Sequence, residues 1–149
     1  KGKPLDYSLI PIMIEGKDLD LLTEVASLWQ SNIYQLDSES RRKLHLASVI
    51  ACNLTNRLWA LCEDYLEKIP NPNINMAILQ PLLSETVAKI ATLSPRLAQT
   101  GPAARGDLGT IDKHRVMLGN QPELLAIYNM LTDSILAEKN INTNNRERN

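Results

Sequence analysis

The sequence predicts a mainly α-helical protein with a short strand–helix–strand unit at its N-terminal end. Two short apolar runs, at residues 10–14 and 33–36, flank a segment with helical periodicity. The stretch from residue 38 to about 69 has neither glycine nor proline, which allows about eight helical turns. Beyond it, prolines and glycines divide the chain into further segments of helical length. We therefore expect a helical bundle preceded by a small parallel sheet.

Composition and charge exclude several classes of function. The chain has 149 residues and 44% hydrophobic content, which suits one core of ordinary size. Its 16 Lys+Arg against 17 Asp+Glu give no basic field, so we expect no nucleic-acid partner. No apolar run approaches the roughly 20 residues of a bilayer span, so we expect no membrane partner either. Cys52 and Cys62 lie too far apart on one helix for a disulfide, which favours a cytoplasmic location.

The first 37 residues are expected to form the strand–helix–strand unit. Asp18 can cap the helix between the two strands, because its carboxylate can accept a hydrogen bond from a free N–H group of the first turn. A helix between two strands is typical of a parallel pair. Two strands do not make a stable sheet by themselves, so we expect further sheet structure upstream of this unit. Residues 38–139 form the predicted helical domain, and residues 140–149 a disordered tail.

Proline and glycine positions delimit the later helices. Pro81 suits the first turn of a helix that ends near residue 93. Residues 100–107 form a Gly-rich loop, and Asp107 can cap a helix that runs to about residue 118. Pro122 then opens the last helix.

Polar residues on the long helix form the first candidate site. His45 and Asn56 lie roughly opposite the apolar stripe of that helix, and Asn53 lies a step away. Asparagine is a poor residue for a helix interior, so two of them one turn apart suggest the wall of a pocket. The alternative is that this face is simply solvated.

The Gly-rich loop forms the second candidate site. Its small residues allow a ligand close to the backbone, and Arg105 offers a planar fork for a carboxylate or phosphate. Thr110 and His114 follow on the next helix, one turn apart. The alternatives are that the loop only turns the chain, that Arg105 pairs with Asp107, and that His114 is a hydrogen-bonded structural residue. We expect no metal site, because the sequence has neither CxxC nor HExxH.

The order of these motifs resembles a known family. It is similar to the C-terminal helical half of Rossmann-like, NADP-dependent oxidoreductases, a family largely described as a domain of unknown function. Their helical domains are related to those of 6-phosphogluconate dehydrogenase, ketopantoate reductase and pyrroline-carboxylate reductase. The resemblance covers about residues 38–138, and the Thr-Gly-Pro-x-x-Arg-Gly-Asp loop is its most specific part. The residues that carry it are Arg41, Arg42, His45, Ala47, Asn53, Asn56, Pro81, Leu82, Glu85, Thr86, Thr100, Gly101, Pro102, Arg105, Gly106, Asp107, Thr110 and His114.

The resemblance implies hydride transfer between a nicotinamide and a small carbonyl or imine substrate. It implies a fold of the 6-phosphogluconate dehydrogenase C-terminal type, a small-molecule substrate and a homodimer. His45 and His114 are then the candidate general acids. The implied substrate-binding residues are Asn53, Asn56, Thr100, Gly101, Pro102, Arg105, Asp107 and Thr110.

NADP is the cofactor that the resemblance implies for the intact protein. The glycines at 101, 106 and 109 do not have the GxGxxG spacing that cradles a dinucleotide. We therefore expect a truncated Rossmann domain at residues 1–37, and a chain that alone is inactive and does not bind NADP. The alternatives are a non-catalytic helical dimerisation or ligand-binding module and, more remotely, a metal-dependent hydrolase.

Overall fold

The computed structural model describes the backbone of residues 6–29 and 31–146 and the side chains up to residue 141, with Gln30 left out. The chain is mainly helical, as the sequence predicts, and divides into two compact units, Lys1–Ala60 and Leu61–Asn149. The first unit contains a 3-10 turn (Tyr7–Leu9), β1 (Ile12–Ile14), α1 (Leu19–Ser27), β2 (Ile33–Gln35), α2 (Ser38–Ser48), a π-helical turn (Val49–Leu54) and the start of α3 (Thr55–Leu66). The second contains the rest of α3, a 3-10 turn (Met76–Leu79), α4 (Gln80–Thr92), α5 (Pro95–Ala98), α6 (Pro102–Arg105), α7 (Leu108–Met117) and α8 (Pro122–Arg146).

The two strands pair in parallel, which confirms the predicted strand–helix–strand unit. Ile12 lies opposite Ile33, and the register continues to Ile14 opposite Gln35. Helix α1 lies against both strands, and its Ala26 is buried together with Ile14. The pairing is parallel because a helix connects the end of one strand to the start of the next.

Carboxylates cap the helices of the first unit. Asp18 accepts a hydrogen bond from the backbone N–H of Leu21 at 3.1 Å, as the sequence predicts. Asp37 caps α2 in the same way. Glu15, which directly follows β1, accepts a hydrogen bond from the Ser38 N–H at 2.8 Å and pairs with Arg41 at 2.6 Å. The end of β1 is therefore joined to the first turn of α2.

The long helix is interrupted where the sequence predicts continuity. Its expected range, residues 38 to about 69, contains α2, the π-helical turn Val49–Leu54 and α3, which ends at Leu66. The hydroxyl of Thr55 donates to the carbonyl oxygen of Ile50, five residues earlier, at 3.3 Å. The division between the two units falls after Ala60, inside this helix. The domain boundary at residue 37 stays a prediction.

In the second unit, the helix starts and ends agree with the sequence prediction, with three differences. Pro81 lies at the start of α4, Asp107 caps α7, and Pro122 opens α8. The segments at residues 95–98 and 102–105 form short helices where turns and a loop were expected. Helix α8 continues to residue 146, past the predicted boundary at residue 139, because neither glycine nor proline follows Pro122. Residues 147–149 of the predicted tail lie outside the described residues.

Among the described side chains of the second unit, few are buried. They are Leu61, Ala103, Ile111, Leu118 and Thr132, and Ile111 is fully covered. Large apolar side chains are exposed in both units, with Leu28 at 78%, Val116 at 82% and Met130 at 71%. Within the described ranges, no helix is both long and apolar enough for a membrane span.

Candidate functional site

Two glycines with positive φ shape the loop that the sequence singles out. Gly101, at φ 103°, precedes α6, and Gly106, at φ 75°, follows it. An L-residue with a side chain pays a steric cost in these conformations, so glycine is required at both ends of this one-turn helix. Thr100 is exposed, whereas Gly101 and Pro102 are half-buried. The loop is therefore one turn of helix between two glycines with positive φ.

Asp107 and Thr110 form a double hydrogen bond at the start of α7. The Asp107 carboxylate accepts from the Thr110 hydroxyl at 2.7 Å and from the Thr110 backbone N–H at 3.0 Å. These bonds hold the pKa of the Asp107 carboxyl below its ordinary value, and the positive charges of Arg105 and Lys113 add to the effect. The charge of Arg105 therefore affects the Asp107 carboxylate less than the hydrogen bonds from Thr110 do. Thr110 serves this helix cap through both its N–H and its hydroxyl.

Lys139 reaches the same loop from α8. Its ammonium Nζ donates a hydrogen bond to the carbonyl oxygen of Arg105 at 2.6 Å. It also lies against Gly106, where an added Cβ would collide with it. Two cationic side chains therefore lie at the loop, the exposed Arg105 of the loop itself and the half-buried Lys139 of α8. Sequence reasoning missed Lys139, because a partner 34 residues away cannot be found from helical spacing.

His114 contacts Tyr128, a second residue that sequence reasoning missed. The His114 Nδ1 and the Tyr128 hydroxyl oxygen lie 2.9 Å apart. The two rings meet edge to face, with centroids 5.7 Å apart and planes at 79°. Both residues are half-buried. His114 is hydrogen-bonded to a residue of α8, as expected if it is a structural residue. Its second ring nitrogen, Nε2, is not part of this bond.

Arg115 connects α7 to α8 beside this pair. Its Nε donates to the Asn129 side-chain oxygen at 2.9 Å, and its Nη2 lies 3.1 Å from the carboxylate of Asp133. Its third contact, with Asp112, stays within α7 at 3.2 Å. Consecutive residues of α7 thus pair with consecutive residues of α8, and this fixes the alignment of the two helices.

The first unit contains the other predicted site residues. His45 lies in the last turn of α2, Asn53 in the π-helical turn and Asn56 in the first turn of α3, and all three are exposed. A π turn holds one more residue than an α turn, so it rotates the later part of the helix by about 100° relative to an unbroken one. The wheel of an unbroken helix, which the sequence predicts, therefore does not describe how Asn53 and Asn56 lie relative to His45.

The predicted residues thus form one group in each unit. Thr100, Gly101, Pro102, Arg105, Asp107 and Thr110 belong to the loop and the α7 cap, and His114 follows on α7. His45, Asn53 and Asn56 follow one another along the long helix. A shared cavity for the two histidines, Asn53, Asn56 and Arg105 stays a prediction.

A cavity of about 380 Å³ lies beside α5. Its lining is mostly polar and includes Ser94, Gln99 and the ion pair of Arg96 with Glu138. None of the predicted site residues lines it. Among the described side chains, no group of three His, Cys, Asp or Glu residues is placed to hold a metal ion.

The described residues do not fit the pyrophosphate of NADP. In a dinucleotide-binding fold, a glycine-rich turn joins a parallel strand to a helix whose N-terminus faces the phosphates. Here β1 is joined to α1 by a turn with the single glycine Gly16, and a Cβ at that position would lie 3.1 Å from Leu22. Asp18 caps α1 and Asp20 lies in its first turn, so two carboxylates lie at the helix N-terminus that would have to face a phosphate.

Comparisons with known proteins extend these findings. The family described as "Domain of unknown function (DUF2520)" matches residues 10–135 of the chain. A crystal structure described as that of a putative NADP oxidoreductase, BF3122 from Bacteroides fragilis, is 36% identical with a TM-score of 0.78. The match covers 91% of this chain and 52% of that one. No curated protein matches the chain.

A second solved structure shares the fold at lower identity. Protein TM1727 from Thermotoga maritima is 18% identical with a TM-score of 0.68, over 87% of this chain and 53% of that one. The chain therefore spans about half the length of each of these two proteins. Both comparisons agree with the resemblance that the motifs carry.

Proposed function

The chain belongs to the DUF2520 family, and from this membership we propose that it is the substrate-side helical half of an NADP-dependent oxidoreductase. One observation carries the proposal, namely 36% identity over 91% of the chain to a protein described as a putative NADP oxidoreductase. The proposed reaction is the reduction of a small carbonyl or imine compound, or its reverse. The second half of the enzyme then holds the dinucleotide, since the described residues of this chain do not fit it.

Proton delivery is the proposed contribution of the histidines. Reduction of a carbonyl adds a hydride to carbon and a proton to oxygen, and only the proton can come from a side chain. Imidazole is suited to this task because its ordinary pKa lies near neutrality. His45 is exposed, whereas His114 is half-buried and held by Tyr128, which favours His114.

The Gly-rich loop is the proposed site for an anionic group of the substrate. Arg105 presents a planar guanidinium that suits a carboxylate, and the Lys139 ammonium lies against the carbonyl of the same residue. Thr100, Gly101 and Pro102 contribute the backbone of the same loop. The cap formed by Asp107 and Thr110 stabilises the start of α7. Asn53 and Asn56 are proposed to orient substrate with their carboxamides.

Homodimer formation is a second part of the proposal. Leu46, Ile50 and Leu54 form an apolar stripe on the long helix, and each is more than half exposed. Such stripes usually mark a contact with another chain or domain. The same observation supports the alternative function, a non-catalytic helical dimerisation or ligand-binding module. The free thiols of Cys52 and Cys62 support a reducing compartment such as the cytoplasm.

Turnover of NADPH tests the proposal. The protein to assay is the full-length product that contains this chain, with a panel of small oxoacids, aldehydes and cyclic imines. We expect His114→Gln to lower kcat by at least about a hundredfold, because general acid catalysis contributes roughly 10²–10⁴. His45→Gln tests the second candidate, and Asn73→Ala, in the exposed connection before α4, is the control. Near-normal turnover of both histidine variants would contradict proton delivery by this chain.

A further inference from the structure

The hydrogen bond between Tyr128 and His114 has a consequence for proton transfer. We propose that Tyr128 is a positioning residue that holds Nδ1 of His114, so that Nε2 is the nitrogen through which this ring exchanges a proton with substrate. The inference rests on the proposed function, because it gives His114 a substrate to protonate. Its structural basis is the 2.9 Å contact between Nδ1 and the Tyr128 hydroxyl oxygen.

Two contacts with one partner determine the orientation of the His114 ring. The hydrogen bond fixes the position of Nδ1, and the edge-to-face packing at 79° fixes the plane of the imidazole relative to the phenol. A flip of the ring about its Cβ–Cγ bond would move a carbon into the place of Nδ1 and break the bond. The partner of one ring nitrogen decides what the other can do, so Tyr128 assigns the reactive role to Nε2.

The surrounding contacts keep His114 of α7 opposite Tyr128 of α8. Arg115, next to His114, donates to Asn129, next to Tyr128. Ile111 and Leu118, three residues before and four residues after His114, are both buried, so His114 lies on the packed face of α7. The pair therefore lies in an aligned contact between α7 and α8. Such packing is required if His114 is to present Nε2 in the same position each time.

The proton balance follows from the charge of the ring. In the imidazolium both nitrogens carry a proton, so Nδ1 donates to the Tyr128 oxygen. When substrate is reduced, the N–H bond at Nε2 breaks and an O–H bond forms on the substrate oxygen, or an N–H bond on an imine nitrogen. The ring becomes neutral and keeps its proton on Nδ1, still bonded to Tyr128. The Tyr128 hydroxyl oxygen can accept this bond, so the Nδ1–H group keeps its partner after the step.

Nitrogen NMR of this chain tests the tautomer directly. The chain has two histidines, and the exposed His45 provides an internal reference for an unconstrained ring. The spectra are recorded at an alkaline pH at which the histidine signals no longer change with pH. We expect ¹⁵N shifts of His114 for a single tautomer protonated at Nδ1, and shifts of His45 for an exchanging mixture. A mixture at His114, or protonation at Nε2, would overturn the proposal whatever the fate of any variant.

Removal of the hydroxyl is the second arm of the experiment. Tyr128→Phe keeps the ring contact and deletes the hydrogen bond, so the His114 shifts should move to the averaged values of His45. Tyr34→Phe, in the exposed strand β2, is the matched control and should leave them unchanged. Unchanged His114 shifts in Tyr128→Phe would show that the hydroxyl does not hold the ring, and would reject the proposal.

Kinetics separate this inference from the proposed function. In the full-length enzyme we expect Tyr128→Phe to lower kcat about tenfold with little change in KM, because it alters the presentation of the proton and not substrate binding. If the NMR result holds but His114→Gln retains full turnover, the proposed role of His114 fails while the Tyr128–His114 pair stands. If His114→Gln is inactive and Tyr128→Phe has wild-type kcat, the positioning role fails alone.

Discussion

Lys139 closes the end of α6 by donating a hydrogen bond from Nζ to the carbonyl oxygen of Arg105 at 2.6 Å. A lysine at this point suits the C-terminus of a helix, where carbonyl groups lack intrahelical partners. The ammonium can lie so close to the backbone because the next residue is Gly106, which has no Cβ. The glycine thus serves both the left-handed backbone and the contact with α8.

Gly106→Ala is expected to destabilise the protein by about 1–2 kcal/mol, the cost of an L-residue in the left-handed region. The new Cβ would also displace Lys139 from its hydrogen bond. Gly109→Ala is the control, because Gly109 lies within α7 and the nearest atom to an added Cβ is 3.8 Å away. It should be neutral or stabilising by up to about 1 kcal/mol. Urea denaturation measures both, and equal stability of the two variants would contradict this role of Gly106.

Acid should weaken the Asp107 cap in a defined direction. The hydrogen bonds from Thr110 lower the pKa of Asp107 in the folded protein. The stabilisation is therefore fully present above the unfolded pKa and is lost as the pH falls through the lower, folded pKa. Asp107→Asn keeps a capping oxygen but does not titrate. The advantage in Tm of the wild type over Asp107→Asn should shrink as the pH falls below about 4, near the ordinary Asp pKa.

Asp64→Asn is the control for that experiment, since it removes an exposed carboxylate from α3 without removing a cap. Its difference in Tm from the wild type should stay nearly constant over the same range. A constant difference for Asp107→Asn as well would contradict the role of Thr110 in lowering the pKa of Asp107.

Arg115→Met is expected to loosen the contact between α7 and α8. The variant keeps the apolar stem but loses the bonds to Asn129 and Asp133. We expect a loss of about 1 kcal/mol in the free energy of unfolding, because one bond is partly buried and the ion pairs are half-exposed. Arg96→Met removes a more exposed pair with Glu138 and should cost less than about 0.5 kcal/mol. The reverse order would argue against Arg115 as the residue that fixes this alignment.

The two cysteines should differ in reactivity. Burial raises the pKa of the Cys62 thiol, whereas Cys52 is exposed in the π-helical turn. Because the thiolate is the reacting form, iodoacetamide at neutral pH should modify Cys52 several-fold faster than Cys62. Mass spectrometry of peptides from a time course measures both rates, and faster modification of Cys62 would contradict the burial of that helix face.

Local signals predicted most of the fold. Asp18, Asp107 and Pro122 mark helix starts that the structure confirms, because caps and proline act on backbone groups within one turn. The π-helical turn at Val49–Leu54 has no such signal, since the stretch contains neither glycine nor proline and only the hydrogen-bond spacing changes. The wheel drawn from the sequence for an unbroken helix therefore does not describe the helix faces beyond this turn.

The site was predictable where it is local and not where it depends on packing. Thr110 and Asp107 are three residues apart, so spacing brings them together. Tyr128 and Lys139 reach His114 and Arg105 only through the alignment of α7 and α8. Nothing in the periodicity of either helix specifies that alignment, and so both partners were missed.

Calorimetric titration with NADPH tests the central claim, that this chain is the substrate-side half of an NADP-dependent oxidoreductase, most directly. We predict no saturable binding by the chain of residues 1–149 and saturable binding by the full-length product that contains it. Micromolar binding by the chain alone would contradict the assignment of the dinucleotide to the other half. Absence of binding by the full-length product would contradict the proposed function as an NADP-dependent oxidoreductase.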